Sequence, residues 1–101
     1  MTDALNRMWA RFLPEIENRL VVVEAAAAAL ASSGLPADQR EAAHQAAHKL
    51  AGILGTFGLP RGTELARQAE HLLAEEVPVG SIAELAGWVA ELRGLIQSRN
   101  S

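Results

Sequence analysis

Apolar side chains recur at alternating spacings of three and four residues along most of this chain, and that period constrains its fold more than any other feature. The clearest run occupies Leu13, Ile16, Leu20, Val23, Ala27 and Leu30. An α-helix with this spacing carries one apolar stripe, which a helical bundle buries. No segment combines the two-residue alternation and the turn dipeptides of a β-hairpin. The pattern therefore predicts an all-α protein.

Breaks in the pattern predict five helices, which cover about residues 2–12, 14–33, 37–57 and 60–76 and the segment from 81 onward. Pro14 starts the second helix or kinks the chain into it, and Gly34 is a plausible C-cap for that helix. Ser81 and Glu84 form a capping-box pattern at the start of the fifth. Short connections favour antiparallel neighbours. We therefore expect an antiparallel up-down four-helix bundle with an additional N-terminal helix, in a single domain over residues 1–101.

Composition agrees with closely packed helices and argues against several kinds of partner. Half of the residues are hydrophobic but only 4% are aromatic, so the core must consist mainly of Leu, Ala, Val and Ile. The net charge of -3 disfavours nucleic-acid binding. The chain has no cysteine, which excludes disulfides, thiol catalysis and thiolate metal sites.

The sequence contains no segment that resembles a membrane anchor. The longest nearly apolar run, residues 21–31, is interrupted by Glu24 and is far shorter than the ~20 residues of a membrane span. The N-terminus lacks the apolar core of a signal peptide. We expect a cytoplasmic monomer with no membrane and no nucleic-acid partner.

The predicted third helix carries an unusual face within "EAAHQAAHKLAGILGTFG", residues 41–58. At about 100° per residue, the apolar positions centred on Leu50 lie opposite His48. Within about 60° of His48 lie Glu41, His44, Gln45, Ala51, Gly52 and Gly55, which we expect to form a solvent-facing strip. A glycine inside a helix costs about 1 kcal/mol relative to alanine. We interpret Gly52 and Gly55 as clearance that lets a large partner approach His48.

An exposed histidine without an accompanying Asp or Ser relay indicates a nucleophile or carrier rather than a hydrolase base. The chain has no G-x-G-x-x-G motif and no P-loop, so we expect no ATP site and no cofactor of its own. A phosphoryl group on His48 must then come from another protein. Glu41, His44 and His48 could in principle hold a metal, but a single Glu-x-x-His group directed away from the core makes us expect none.

The stretch "AAHKLAGILGTFGLPRGTELARQAEHL", residues 46–72, resembles the signature of the histidine-containing phosphotransfer (HPt) domain. In that family the phosphorylated histidine is followed by a hydrophobic residue at +2 and a glycine at +4. His48, Leu50 and Gly52 match these positions. The quoted motif covers about a quarter of the chain. The expected architecture and length agree with the family over nearly all of it.

This resemblance implies a phosphorelay protein that accepts a phosphoryl group on His48 and exchanges it with a receiver-domain aspartate or a histidine kinase. It implies a carrier without kinase activity of its own, with Mg²⁺ supplied by the partner receiver. The chain departs from the family at +3, where many members have a lysine and this chain has Ala51. Its lysine is Lys49 at +1, which could reach a phosphoryl group on its long stem or could be a solvated surface lysine. His44 and Gln45 are better placed to flank the phosphoryl group.

A second interpretation remains open from the sequence. The same bundle could be a non-catalytic helical adaptor that docks a receiver or kinase without accepting phosphate. The presence of His48 beside a cleared glycine face favours the carrier. We expect His71 to be a surface or boundary histidine that does not touch the site. We expect Arg61 and Arg67 to be solvated, although either could contact a docked partner.

Overall fold

The structure, a computed structural model, describes residues 2–100 and consists of four α-helices joined by short connections. They are α1 (Thr2–Ser32), α2 (Ala37–Thr56), α3 (Pro60–Leu73) and α4 (Ile82–Arg99), with a 3-10 turn at Val79–Ser81. No strand occurs among the described residues. α1 and α3 each contact both α2 and α4, so helices that follow one another in the chain are neighbours in space. The predicted all-α bundle is confirmed.

The break predicted at Pro14 is absent, because α1 continues through this residue. Proline has no N–H, so the carbonyl of Ala10 loses its intrahelical donor. Ala10 and Pro14 both lie on the exposed side of α1, where water can hydrogen-bond that carbonyl. Trp9 and Ile16 are buried on either side of the proline, and their packing holds the helix together. The additional N-terminal helix is therefore the first part of α1.

Glycines end the first two helices, whereas the predicted capping box does not form. Gly34 has φ 96° and its N–H donates to the carbonyl of Ala29 at 2.7 Å, which confirms it as the C-cap glycine of α1. Gly58 has φ 70° and is the corresponding C-cap glycine after α2. Ser81 was predicted to cap the last helix, but its backbone is helical (φ -100°, ψ -4°) and its side chain makes no capping bond. An N-cap needs an extended backbone, and the 3-10 turn prevents it here.

The core contains two apolar layers along the bundle axis. One layer is built around Trp9, Leu50, Leu54 and Leu92, with large side chains from all four helices. The other is rich in alanine and includes Ala43, Ala46, Ala47 and Ala69. Trp88 is partly buried against both. Because Ala47 belongs to one layer and Leu50 to the other, His48 lies on α2 at the level where the two layers meet.

Ion pairs on the surface fix α4 against its two neighbours. Arg93 donates to Glu24 at 2.7 Å and to Glu17 at 2.7 Å, both on α1. These hydrogen bonds raise the pKa of the Arg93 guanidinium above its usual value, and the bond to Glu24 has the larger effect. On the other side, Arg61 of α3 donates to Glu91 at 2.7 Å, and this bond lowers the pKa of the Glu91 carboxyl.

Replacing Pro14 with alanine should stabilise the protein. Pro14→Ala restores the N–H that can donate to the carbonyl of Ala10 and removes the ring from the helix interior. We expect the free energy of unfolding to rise by about 1–3 kcal/mol, the cost of an interior helix proline reduced by the greater freedom of the unfolded chain. Urea denaturation followed by circular dichroism measures it.

The matched control is Pro60→Ala. Pro60 is the first residue of α3, a position where proline leaves no intrahelical hydrogen bond unmade. We expect no stabilisation from this variant. A Pro14→Ala midpoint at or below that of the parent would contradict our explanation of the continuous helix.

Candidate functional site

His48 projects from the exposed face of α2 and is held by a carboxylate of α3. Its side chain is 64% exposed, and its Nδ1 lies 2.9 Å from Oε2 of Glu70. An ionised carboxylate only accepts hydrogen bonds, so the bonded Nδ1 carries the proton in the neutral ring. Nε2 then keeps its lone pair, and no described residue hydrogen-bonds to it. The arrangement presents a nucleophilic nitrogen to solvent in a fixed ring orientation.

Glu70 also positions a second histidine through its backbone. Nδ1 of His44 lies 2.8 Å from the carbonyl oxygen of Glu70, which can only accept, so this Nδ1 is a donor. His44 is half-buried as a result and lies against α3. One residue of α3 therefore orients two imidazoles that are one turn apart on α2.

The site predicted from the sequence contains His48 but not Glu70. The two residues are 22 positions apart, and only the packing register of α3 against α2 brings them together. A weak signal was present in α3, where Glu70 follows the buried Ala69 and lies one turn from the buried Ala66 and Leu73. This spacing marks a residue at the border of a helix contact, but it does not reveal which residue of the neighbouring helix it meets.

Ala51 is buried, with 3% of its surface exposed, so its predicted place on a solvent-facing strip is wrong. α3 packs against that flank of α2, and Oγ1 of Thr63 donates to the carbonyl of Ala51 at 3.4 Å. Gly55 is exposed but also borders α3, since a Cβ there would lie 3.6 Å from Oγ1 of Thr63. Gly52 lies clear of α3, and a Cβ built on it meets nothing within 4 Å.

Gln45 and Lys49 lie on the flank of α2 that faces α1. Nε2 of Gln45 donates to Oε1 of Glu41 at 3.0 Å, so this amide is engaged along its own helix. Lys49 is exposed and makes no hydrogen bond or ion pair with a described residue. It lines a shallow hollow with Glu15 and Arg19 of α1 and with His48. The structure thus separates these two residues from the Glu70 side of the imidazole.

A second hollow lies on the α3 side of His48 and has a volume of about 370 Å³. Its walls are formed by His48, Ala51, Gly52, Arg67, Glu70 and His71. His71 is exposed, as predicted, but it was not expected to touch the site; it lines this hollow because the packing of α3 on α2 brings this part of α3 beside His48. Arg61, predicted to be solvated, is tied to Glu64 and Glu91.

Neither a metal centre nor a membrane span is found within the described part of the chain. Over residues 2–100, no three His, Asp or Glu side chains are grouped so that they could hold a metal ion. Within the same range, none of the helices is both long enough and apolar enough to cross a bilayer.

Comparison with known proteins identifies the family. The family model described as "Hpt domain" matches residues 7–99, which is nearly the whole chain. The chain belongs to the Hpt domain family. It is also 36% identical over 69 residues to Protein RcaC of Microchaete diplosiphon. That alignment covers 68% of this chain but 11% of the length of RcaC. No solved structure gives a significant match.

Membership of this family sets the general function. Hpt domains carry phosphoryl groups in two-component phosphorelays, and they do so without kinase activity of their own. Their partners are receiver domains or kinases. The predicted phosphorelay role is confirmed at this level.

Gly52 allows a test of the clearance interpretation. Gly52→Leu should leave the bundle folded, because the added side chain points into open space. It should raise the melting temperature by a few degrees, because leucine in a helix is more favourable than glycine by ~0.8 kcal/mol. Phosphotransfer with a receiver domain should nevertheless slow, because the leucine stands beside His48. Calorimetry and a transfer assay measure the two effects.

Gly87→Leu is the matched control. Gly87 lies inside α4, is exposed, and has no atom within 4 Å of a built Cβ. The backbone of α4 is not adjacent to that of α2 in the bundle, so this variant should gain similar stability without a change in transfer. Equal transfer rates in the two leucine variants would refute the steric role of Gly52.

Proposed function

We propose that Nε2 of His48 accepts a phosphoryl group from a receiver-domain aspartate or a histidine kinase and passes it to another partner protein. The observation that carries this proposal is the exposed imidazole whose Nδ1 is bonded to Glu70 at 2.9 Å. A histidine used only for packing would be buried or would have both ring nitrogens engaged. Family membership supports the same reaction but does not specify the residue.

The two nitrogens of the ring have different roles in the proposed transfer. The Nε2 lone pair attacks phosphorus, a P–N bond forms, and the P–O bond to the receiver's aspartate breaks with release of its carboxylate. Nδ1 keeps its proton throughout, so the phosphorylated ring carries a positive charge. The Glu70 carboxylate stabilises that charge through the hydrogen bond it already makes. The reverse sequence returns the phosphoryl group to a second aspartate.

In this proposal the receiver domain provides most of the catalysis apart from the nucleophile. Phosphoryl transfer depends chiefly on positioning and on cations that neutralise the charge on the phosphorus oxygens. We propose that the receiver contributes its own Mg²⁺, and that this chain contributes a nucleophile already oriented for attack. Gly52 leaves space on the approach side of the ring. A monomer in the cytoplasm is the state we propose for these exchanges.

Replacing His48 tests the assignment directly. The parent, incubated with receiver domains carrying radioactive aspartyl phosphate, should take up acid-labile, base-stable label. His48→Gln should take up none, because glutamine keeps a polar side chain of similar reach without a nucleophilic nitrogen. His71→Gln is the matched control and should retain labelling.

Two results would count against the carrier. Equal labelling of His48→Gln and the parent would show that another residue accepts the phosphoryl group. A parent that binds receivers and kinases without taking up any label would instead support the adaptor function.

Glu70 is expected to act by positioning His48 and stabilising its charged, phosphorylated form. Glu70→Ala removes the acceptor of Nδ1–H, so the ring loses its fixed orientation and tautomer. We expect transfer from a phosphorylated receiver to slow by about five- to tenfold, the effect of losing a partly exposed hydrogen bond worth ~1–1.4 kcal/mol. Rapid-quench kinetics at saturating receiver measure this rate.

Glu70→Gln is the conservative variant for the same experiment. Its amide oxygen can still accept from Nδ1–H, so it should retain more activity than Glu70→Ala. Two-dimensional NMR of the ring nitrogens provides a second readout, with the tautomer protonated at Nδ1 predominant in the parent and less populated in Glu70→Ala. Parental kinetics and an unchanged tautomer in Glu70→Ala would eliminate this role.

A further inference from the structure

A phosphoryl group on Nε2 of His48 would bring up to two negative charges to a face where α2 supplies little compensation. One turn beyond His48, the side chain at position 51 is a buried alanine. Glu70, on the neighbouring helix, adds a further negative charge at Nδ1. Lys49 lies on the flank towards α1 and shares a hollow with the carboxylate of Glu15. His48 borders that hollow as well, so Lys49 can compensate charge only from the α1 side, and the α3 side of the ring is open to a second cation.

The packing register places Arg67 there. Glu70 of α3 meets His44 and His48, and Thr63 of α3 meets Ala51. Arg67 is one helical turn from both Glu70 and Thr63, so it falls opposite the turn of α2 between His48 and Ala51. It lines the same hollow of about 370 Å³ as His48. Ala51 and Gly52, which have no side-chain atom beyond Cβ, line this hollow as well.

Arg67 is also unengaged. It is exposed and forms no hydrogen bond or ion pair with any described residue. Three other arginines, Arg40, Arg61 and Arg93, are tied to carbonyl or carboxylate groups. Glu70, one turn from Arg67 on the same helix, directs Oε2 to His48 instead. The guanidinium is thus free to bind an incoming anion.

We infer that Arg67 binds the phosphoryl oxygens of phosphorylated His48. Its guanidinium, on α3, then supplies the positive charge that α2 does not provide at this side of the ring. A guanidinium presents two parallel N–H donors that match a pair of phosphoryl oxygens. The small residues at 51 and 52 give it access to them. This inference rests on the proposed function and adds a residue that contacts the transferred group.

The decisive experiment needs no partner protein. ¹⁵N-labelled protein is phosphorylated with phosphoramidate, whose P–N bond breaks as ammonia leaves and the new P–N bond to Nε2 forms. The Nε–H resonances of arginine are compared before and after, and that of Arg67 is assigned by its loss in Arg67→Lys. We expect it to shift and to exchange more slowly with water. The Nε–H of Arg7, an exposed arginine of α1 with no described partner, should not change.

A kinetic series tests the consequence for transfer. Arg67→Ala should slow exchange with a phosphorylated receiver domain by about two- to fivefold, the size of one exposed ion pair. Arg67→Lys keeps the positive charge but lacks the two parallel N–H donors, so its transfer rate should fall between those of the alanine variant and the parent. Arg7→Ala, with the same loss of charge, should match the parent. Lys49→Ala should slow transfer less than Arg67→Ala does.

The outcomes separate this inference from the proposed function. If the parent is labelled and His48→Gln is not, but the Arg67 resonance is unchanged by phosphorylation, the role of Arg67 is overturned while His48 stands. A larger loss in Lys49→Ala than in Arg67→Ala, with no change at Arg67, would also overturn it. If neither phosphoramidate nor phosphorylated receivers label the parent, both proposals fail together.

Discussion

The packing of α3 along one flank of α2 is the constraint on which the candidate site depends. Glu70 reaches α2 twice, through its carboxylate to His48 and through its carbonyl to His44. Thr63 makes a further contact to the backbone of α2 at Ala51. A rotation of α3 by one residue would move Glu70 by about 100° and break both histidine contacts. The orientation of the imidazole is therefore a property of a helix pair, not of the helix that carries it.

The alanine at position 51 has two effects that follow from its size. Its burial lets α3 come close enough for Thr63 to reach the backbone of α2. The same small side chain leaves the hollow beside His48 open at its base. A longer residue there would occupy the space between His48 and Arg67. Close helix packing and an open flank at the site thus have a common cause.

Properties of single helices could be predicted from the sequence, and properties of helix pairs could not. The all-α fold and the exposure of His48 and Gly52 follow from periodicity within one helix. The burial of Ala51 and the approach of His71 depend on which flank of α2 is covered, and a helical projection does not contain that information. Pro14 is a different case, because its local preference for a break is outweighed by the burial of Trp9 and Ile16 on either side. The capping box failed because the backbone before α4 forms a 3-10 turn.

The position of the His48 imidazole on one side of the bundle has a consequence for timing. His48 lies on one face, and the opposite side of α2 is packed into the core through Leu50 and Leu54. A protein that covers this face leaves no second route to the ring. If His48 is the phosphoacceptor, two partner proteins that use it must therefore alternate, and the second cannot bind before the first dissociates. Where the chemical step is fast, the lifetime of each complex would then limit the flow of phosphoryl groups through the domain.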